Sequence, residues 1–128
     1  MFKSKTAGPS MSRSFDSLIG EKSVFEGNIN CGGAIRIDGK VIGDIKAAED
    51  IVIGETARVE GNIYGNIIQI SGVVDGNIYS KYMVRLCPTA RLHGDVEAVS
   101  FITEEGAFFH GKCTMTSQPS NEKSSEKE

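Results

Sequence analysis

Tryptophan is absent from this 128-residue chain, proline occurs three times, and aromatic residues make up only 7%. No apolar run approaches the length that crosses a bilayer as a helix. The cysteines number three (Cys31, Cys87 and Cys113), an odd count without a CxxC pair. Together with the lack of a signal-peptide apolar region, this points to free thiols in a reducing cytosol. A basic excess is also missing. Net charge is −3, and residues 16–116 hold nine basic against fourteen acidic side chains. An acidic body excludes nucleic acid as the main partner, because phosphate binding needs a clustered basic face. The glycines stand singly, without GxGxxG or GxxxxGK spacing, so no nucleotide site is expected.

What is abundant is glycine itself, 15 residues, and it is periodic. GNIY occurs at Gly61–Tyr64 and again at Gly76–Tyr79. A Gly-Asn/Asp-Ile/Val triplet recurs at Gly27, Gly43, Gly61, Gly76 and Gly94, with a degenerate copy at Gly111-Lys112-Cys113. The steps between these glycines are 16, 18, 15, 18 and 17 residues. IGEKSVFEGNI (Ile19–Ile29) aligns with IGETARVEGNI (Ile53–Ile63), 34 residues on. LCPTARLHGDV fits the same template and TEEGAFFHGKC fits it loosely. IDGKVIGDI and ISGVVDGNI are two residues shorter, so six repeats are expected, alternating between a longer and a shorter corner. Periods this short are the signature of a solenoid.

Inside each repeat the alternation is period-2, as in Ile35-x-Ile37, Ile51-x-Ile53 and Ile68-x-Ile70, and helical spacing is not sustained. Three short strands with glycine-bearing corners describe one coil of a parallel β-helix. At the inter-strand spacing of about 4.8 Å, six coils make a rod on the order of 25–30 Å long. Ile29, Ile45, Ile63, Ile78 and Val96 are expected to form one buried ladder, and Ile37, Ile53, Ile70 and Leu86 another. Gly61 and its equivalents turn a corner where a Cβ would strike the inner wall. Asn28, Asp44, Asn62, Asn77 and Asp95 stack outward at that corner. The doubled GNIY is therefore two successive corners of one ladder, not a duplicated site.

Residues 1–15 and 117–128 are rich in Ser, Lys, Glu and Pro and are expected to be disordered tails around a domain at 16–116. The leader carries Lys3, Lys5 and Arg13 with no acid. Met1 and Phe2 followed by Lys3 and Lys5 suit insertion into an anionic membrane. One copy supplies a few kcal/mol at most, which many copies on one assembly would multiply.

Candidate chemistry is sparse. His93 and His110 fall one coil apart, yet a metal needs a third ligand and the sequence offers none clearly. Glu60 and Asp75 are stacked carboxylates, but minimal corners leave no cleft for a catalytic pair. None of the cysteines has a nearby His to make it a nucleophile, and Cys113 occupies an aliphatic slot. No catalytic residue, metal or cofactor is expected. IGETA also resembles the hexapeptide of left-handed β-helix acyltransferases, which act as trimers. A six-residue series from Ile53 runs Val59, Gly65, Ser71 and fails.

A stacked-coil rod exposes strand edges and core at both ends unless a cap covers them. No cap is present here. The last coil is apolar at Phe101, Ile102, Phe108, Phe109 and Met115, and the first begins at Phe15, Leu18 and Ile19. Uncapped ends invite end-to-end stacking into a filament. Six Gly-Asn/Asp-Ile coils opened by LIGEKSVFEGNI resemble the bactofilins, bacterial cytoskeletal proteins, over roughly residues 16–116. The MFKSK start resembles the membrane-targeting leader of many members.

The resemblance implies a single-stranded right-handed β-helix of triangular coils that polymerises without nucleotide into non-polar filaments. It further implies a place on the cytoplasmic face of the membrane and a role in localising cell-wall or cell-shape factors. The expected partners are other copies of the chain, the lipid surface and cell-wall-modifying enzymes. Phe101, Phe108 and Phe109 match the terminal apolar residue that family members need for polymerisation. With Leu18 and Ile19 at the other end, they form the expected interface.

Overall fold

The structure, a computed structural model, describes residues 15–116. The expectations for the tails, including the leader residues Met1, Phe2, Lys3 and Lys5, lie outside the described residues.

Sixteen short strands wind into a parallel β-solenoid. Each coil presents three faces. The second face is the simplest, with one strand per coil: Val24–Glu26, Lys40–Ile42, Arg58–Glu60, Val73–Asp75, Arg91–His93 and Phe108–His110. Its six-stranded sheet counts six coils. The third face holds Ile29–Cys31, Ile45–Ala47, Val96–Ala98 and Cys113–Met115. The first face holds Ser17–Ile19, Ile35–Ile37, Ile51–Ile53 and Ser100–Thr103. Two longer strands, Ile63–Ile70 and Ile78–Leu86, bend from the third face into the first and fuse these faces into one ten-stranded sheet.

β-branched residues dominate the inward positions, where their stiff side chains suit a pleated wall. The expected ladders form in register. Ile29, Ile45, Ile63, Ile78 and Val96 pair in sequence, and Cys113 follows. Ile37, Ile53, Ile70 and Leu86 make the second ladder. Ile45 through Val96 and Ile37 through Leu86 are fully buried, worth roughly 1.5–3 kcal/mol each.

The Gly-Asx corner has a sharper explanation than contact with an inner wall. A Cβ on Gly76 would lie 2.0 Å from the carbonyl oxygen of Gly61, its equivalent in the preceding coil. The obstacle is thus backbone of the neighbouring coil, and the glycines pack on one another. Beside them runs a hydrogen-bond ladder. Asn28 Oδ1 accepts from Asp44 N at 3.0 Å, and Asp44 Oδ1 from Asn62 N at 2.9 Å. Asn62 then accepts from Asn77, Asn77 from Asp95, and Asp95 from Lys112 N, each at 3.0 Å. Asn and Asp serve equally because only one acceptor oxygen is used. Asn62→Ala orphans the Asn77 amide and is expected to cost about 1 kcal/mol. A lower urea midpoint would report that loss, with Asn62→Asp near wild type.

The corner between the first and second faces corrects the expected alternation. Coils one, three, five and six all carry the long corner, a turn closed by Ser23 N to Gly20 O, Ala57 N to Gly54 O, Ala90 N to Cys87 O and Ala107 N to Glu104 O. Only the second and fourth coils are short, at Gly39 and Gly72. There a Cβ would meet the carbonyl oxygens of the long turn beneath at 2.2–2.5 Å. The sixth coil has Glu104, Glu105 and Gly106 where a short corner was due, so the strict pairing ends with the fifth.

Candidate functional site

The inward column of the second face shows what distinguishes the ends from the middle. Phe25, Val41, Val59, Val74, Leu92 and Phe109 lie in one register. The four middle members are completely buried, whereas Phe25 is 38% exposed and Phe109 half-buried. All six point the same way; among the described residues the outer two have a neighbouring coil on one side only. Ile19 and Ile29 at the start, and Phe101 and Cys113 at the finish, are likewise only partly covered while their ladder partners are sealed. Phe101 and Phe109 pack edge to face at 5.2 Å and form the apolar floor of the last coil.

Among the described residues, seven large hydrophobic side chains are exposed. Six of them, Leu18, Val24, Phe25, Ile102, Phe108 and Met115, belong to the first and last coils. Tyr82 is the exception. Single exposed apolar residues need no explanation, but their segregation to two opposite ends does.

The sequence-derived interface residues divide by direction. Ile19, Phe101 and Phe109 take inward positions at the open ends. Leu18 and Phe108 stand outward on the side faces, in register with Arg36 and Arg91. Phe108 lies against the Arg91 guanidinium, 5.2 Å away, and the His93 ring, 5.3 Å away. Phe25, Ile29 and Cys113 also line the ends and were not singled out for them from sequence. The signal was available: Phe25 is the middle residue of its triplet, the inward phase of every second-face strand.

The other candidates resolve into surface structure. The rings of His93 and His110 are 6.1 Å apart and tilted. Among the described residues no group of three potential ligands surrounds them. Glu60 and Asp75 share a cation, Arg58, at 3.4 and 3.6 Å, an exposed network on a flat sheet face. Cys31 is buried against Ala34 O, and Cys87 is half-buried. Burial pushes the Cys113 thiol up, away from the reactive thiolate. Connections between described strands are at most four residues long, as at residues 54–57, so no loop overhangs a face to enclose a substrate.

The family model that matches the chain is bactofilin, described as polymer-forming cytoskeletal, over residues 17–114. Among solved structures the chain is similar to a bactofilin of Thermus thermophilus, reported as a cryo-EM reconstruction of double helical filaments. The two are 29% identical, with 78% of this chain and 99% of that chain covered and a TM-score of 0.75. A comparison with curated proteins finds no match.

Proposed function

The chain belongs to the bactofilin family of polymer-forming cytoskeletal proteins, and from that premise we propose that it is a non-enzymatic scaffold whose rods join end to end without nucleotide. The observation that carries this is the incomplete cover of the inward residues Ile19, Phe25 and Ile29 in the first coil and Phe101, Phe109 and Cys113 in the last. Burying them against another coil is favourable by about 25 cal/mol per Å² of apolar surface, and only another rod end has the matching outline.

The rods meet by like ends, first coil to first coil and last coil to last coil, so the filament is non-polar. Sedimentation and negative-stain microscopy at micromolar protein test assembly directly. A discrete small oligomer would overturn this reading.

The leader supplies the second half of the proposal. Met1, Phe2, Lys3 and Lys5 repeated along a filament would hold it on the anionic cytoplasmic face of the membrane, each copy weak and the array strong. There the filament would localise cell-wall or cell-shape factors. Deleting residues 1–8 is expected to abolish co-sedimentation with anionic liposomes while filaments still form. Undiminished liposome binding would remove the leader from this role.

A further inference from the structure

The repeat demands glycine, Asx and an aliphatic residue at each Gly-Asx-Ile corner. It makes no demand on the next position, which is filled by Asn30, Lys46, Tyr64, Tyr79, Glu97 and Thr114. Two of the chain's three tyrosines stand there on successive coils. Their rings stack at 4.9 Å and 13°, and Lys46 Nζ lies 5.3 Å from the Tyr64 ring. Both tyrosines are only half-buried.

The adjoining column of the third face is small: Cys31, Ala47, Gly65 and Ser80. The result is a groove of about 590 Å³ along the rod axis, from Asn30 and Gly32 in the first coil to Tyr79 and Lys81 in the fourth. Gly65 keeps its floor low, since a Cβ there would sit 2.9 Å from Ile51 Cδ1. Apart from the tyrosines, the walls carry Lys46 and Lys81, both exposed, and no acid. Glu97 follows Tyr79 in its column and ends the basic stretch. Residues 16–116 hold nine basic against fourteen acidic side chains, so the groove reverses the charge of the body around it. That reversal selects an anionic partner.

The coils also limit how a partner chain lies here. Ile45–Ala47, Ile63–Ile70 and Ile78–Leu86 are each paired with strands on both sides. No backbone edge is free along them, so a partner cannot join as an added strand and must be held by side chains. A polyproline II segment meets that condition, since it makes no internal backbone bonds and docks on aromatic-lined grooves with little entropy to lose. It rises about 3.1 Å per residue, or about 9.3 Å per turn of ~3 residues. Two coils occupy about 9.6 Å. Lys46 belongs to the second coil and Lys81 follows the corner strand of the fourth, two coils on. Side chains three apart on such a segment therefore recur at the interval of the two lysines. We propose that this groove takes up a polyproline-type segment of another protein with acidic residues three apart, its prolines beside the stacked tyrosines and its carboxylates at Lys46 and Lys81.

The inference gives the proposed scaffold a class of client and rests on that reading for its purpose. Its geometry belongs to the side of a single rod, so binding and filament formation succeed or fail separately. The doubled tyrosine is thereby a recognition surface, although the Gly-Asn-Ile that precedes it is pitch alone.

Fluorescence anisotropy of a fluorescein-labelled Glu-Pro-Pro-Glu-Pro-Pro-Glu peptide, titrated with the full chain, tests it. Saturable binding is expected, weakened about tenfold by Tyr79→Ser. Lys46→Glu combined with Lys81→Glu is expected to weaken it about a hundredfold. The same double variant should take up Lys-Pro-Pro-Lys-Pro-Pro-Lys, a gain that a misfolded protein would not show. Absence of saturable binding would overturn the proposal, as would affinity unchanged by both sets of substitutions. Equal affinity for Glu-Gly-Gly-Glu-Gly-Gly-Glu would reduce the groove to a patch of charge and overturn it too. Displacement of the peptide by chitotetraose would give the tyrosines to a glycan. Affinity that falls as protein concentration rises would give the groove to a second copy, and either result excludes the peptide partner.

Discussion

Phe109→Arg is expected to leave a folded solenoid that no longer sediments. Phe109 takes the inward position of the last second-face strand, in register with Leu92. Leu92 is sealed by coils on both sides, but Phe109 is covered from one side only. In an isolated molecule an arginine there can extend past the rim and keep its guanidinium in water. The lost packing against Phe101 costs about 1–3 kcal/mol and is confined to the terminal coil.

A joint removes that escape. Enclosed by a second end, the guanidinium would be a buried charge without a partner, a penalty of roughly 3–5 kcal/mol. At about 1.4 kcal/mol per factor of ten, this weakens the joint on the order of a thousandfold. Where two last coils meet, each arginine also faces the other. Filaments should give way to short soluble species in negative stain while the far-ultraviolet β signal persists. Phe109→Leu should retain assembly. Wild-type pelleting by the arginine variant would move the joint away from the last coil.

The largest expected loss of stability comes from adding one methyl group at Gly76. Its φ of 153° is a conformation that side-chain-bearing residues rarely adopt. The added Cβ would sit 2.0 Å from Gly61 O and 2.6 Å from Gly61 C. Neither atom belongs to a flexible side chain. Gly61 N is committed to Asp75 O, and Gly76 N to His93 O, each at 2.9 Å. The coils must separate at this corner to admit the methyl, breaking the Asx bond beside it.

Such a clash belongs with the most damaging single substitutions, at about 4–5 kcal/mol. Because a solenoid is held by nearest-neighbour contacts, the break falls between the third and fourth coils and divides the core. Gly76→Ala should lower the urea midpoint steeply or abolish soluble folded protein. Gly32→Ala is the control, since nothing lies within 4 Å of its added Cβ; its midpoint should stay near wild type. Similar behaviour of the two variants would refute the glycine-on-glycine packing.

Most of the coil was readable from residue order. Ile29 through Val96 and Ile37 through Leu86 pair as their spacing requires. Asn28 through Asp95 stack as expected. Other features depend on what lies across a gap between coils. That Arg58 joins Glu60 to Asp75 follows from side-chain reach across adjacent strands, which no linear motif records. The opposed directions of Leu18 and Ile19, or of Phe108 and Phe109, depend on the pleat phase after corners of unequal length. At one corner, two residues, Lys81 and Tyr82, stand opposite the single Asn66, and such a shift resets the phase.

The sequence alone determined the pitch, the number of coils and the residues of each ladder. A parallel stack imposes the same constraint once per coil, so every constraint is written as a period. The tertiary structure decided matters that occur once. The methyl-sized space at Gly76 is closed by the carbonyl of another coil. Phe25 and Phe109 are only partly covered because, among the described residues, no coil lies beyond either end. Tyr64 and Tyr79 form a groove wall because Ala47, Gly65 and Ser80 leave the floor beside them open. Each depends on which atoms meet across a gap, and that is settled by register and corner length, not by composition.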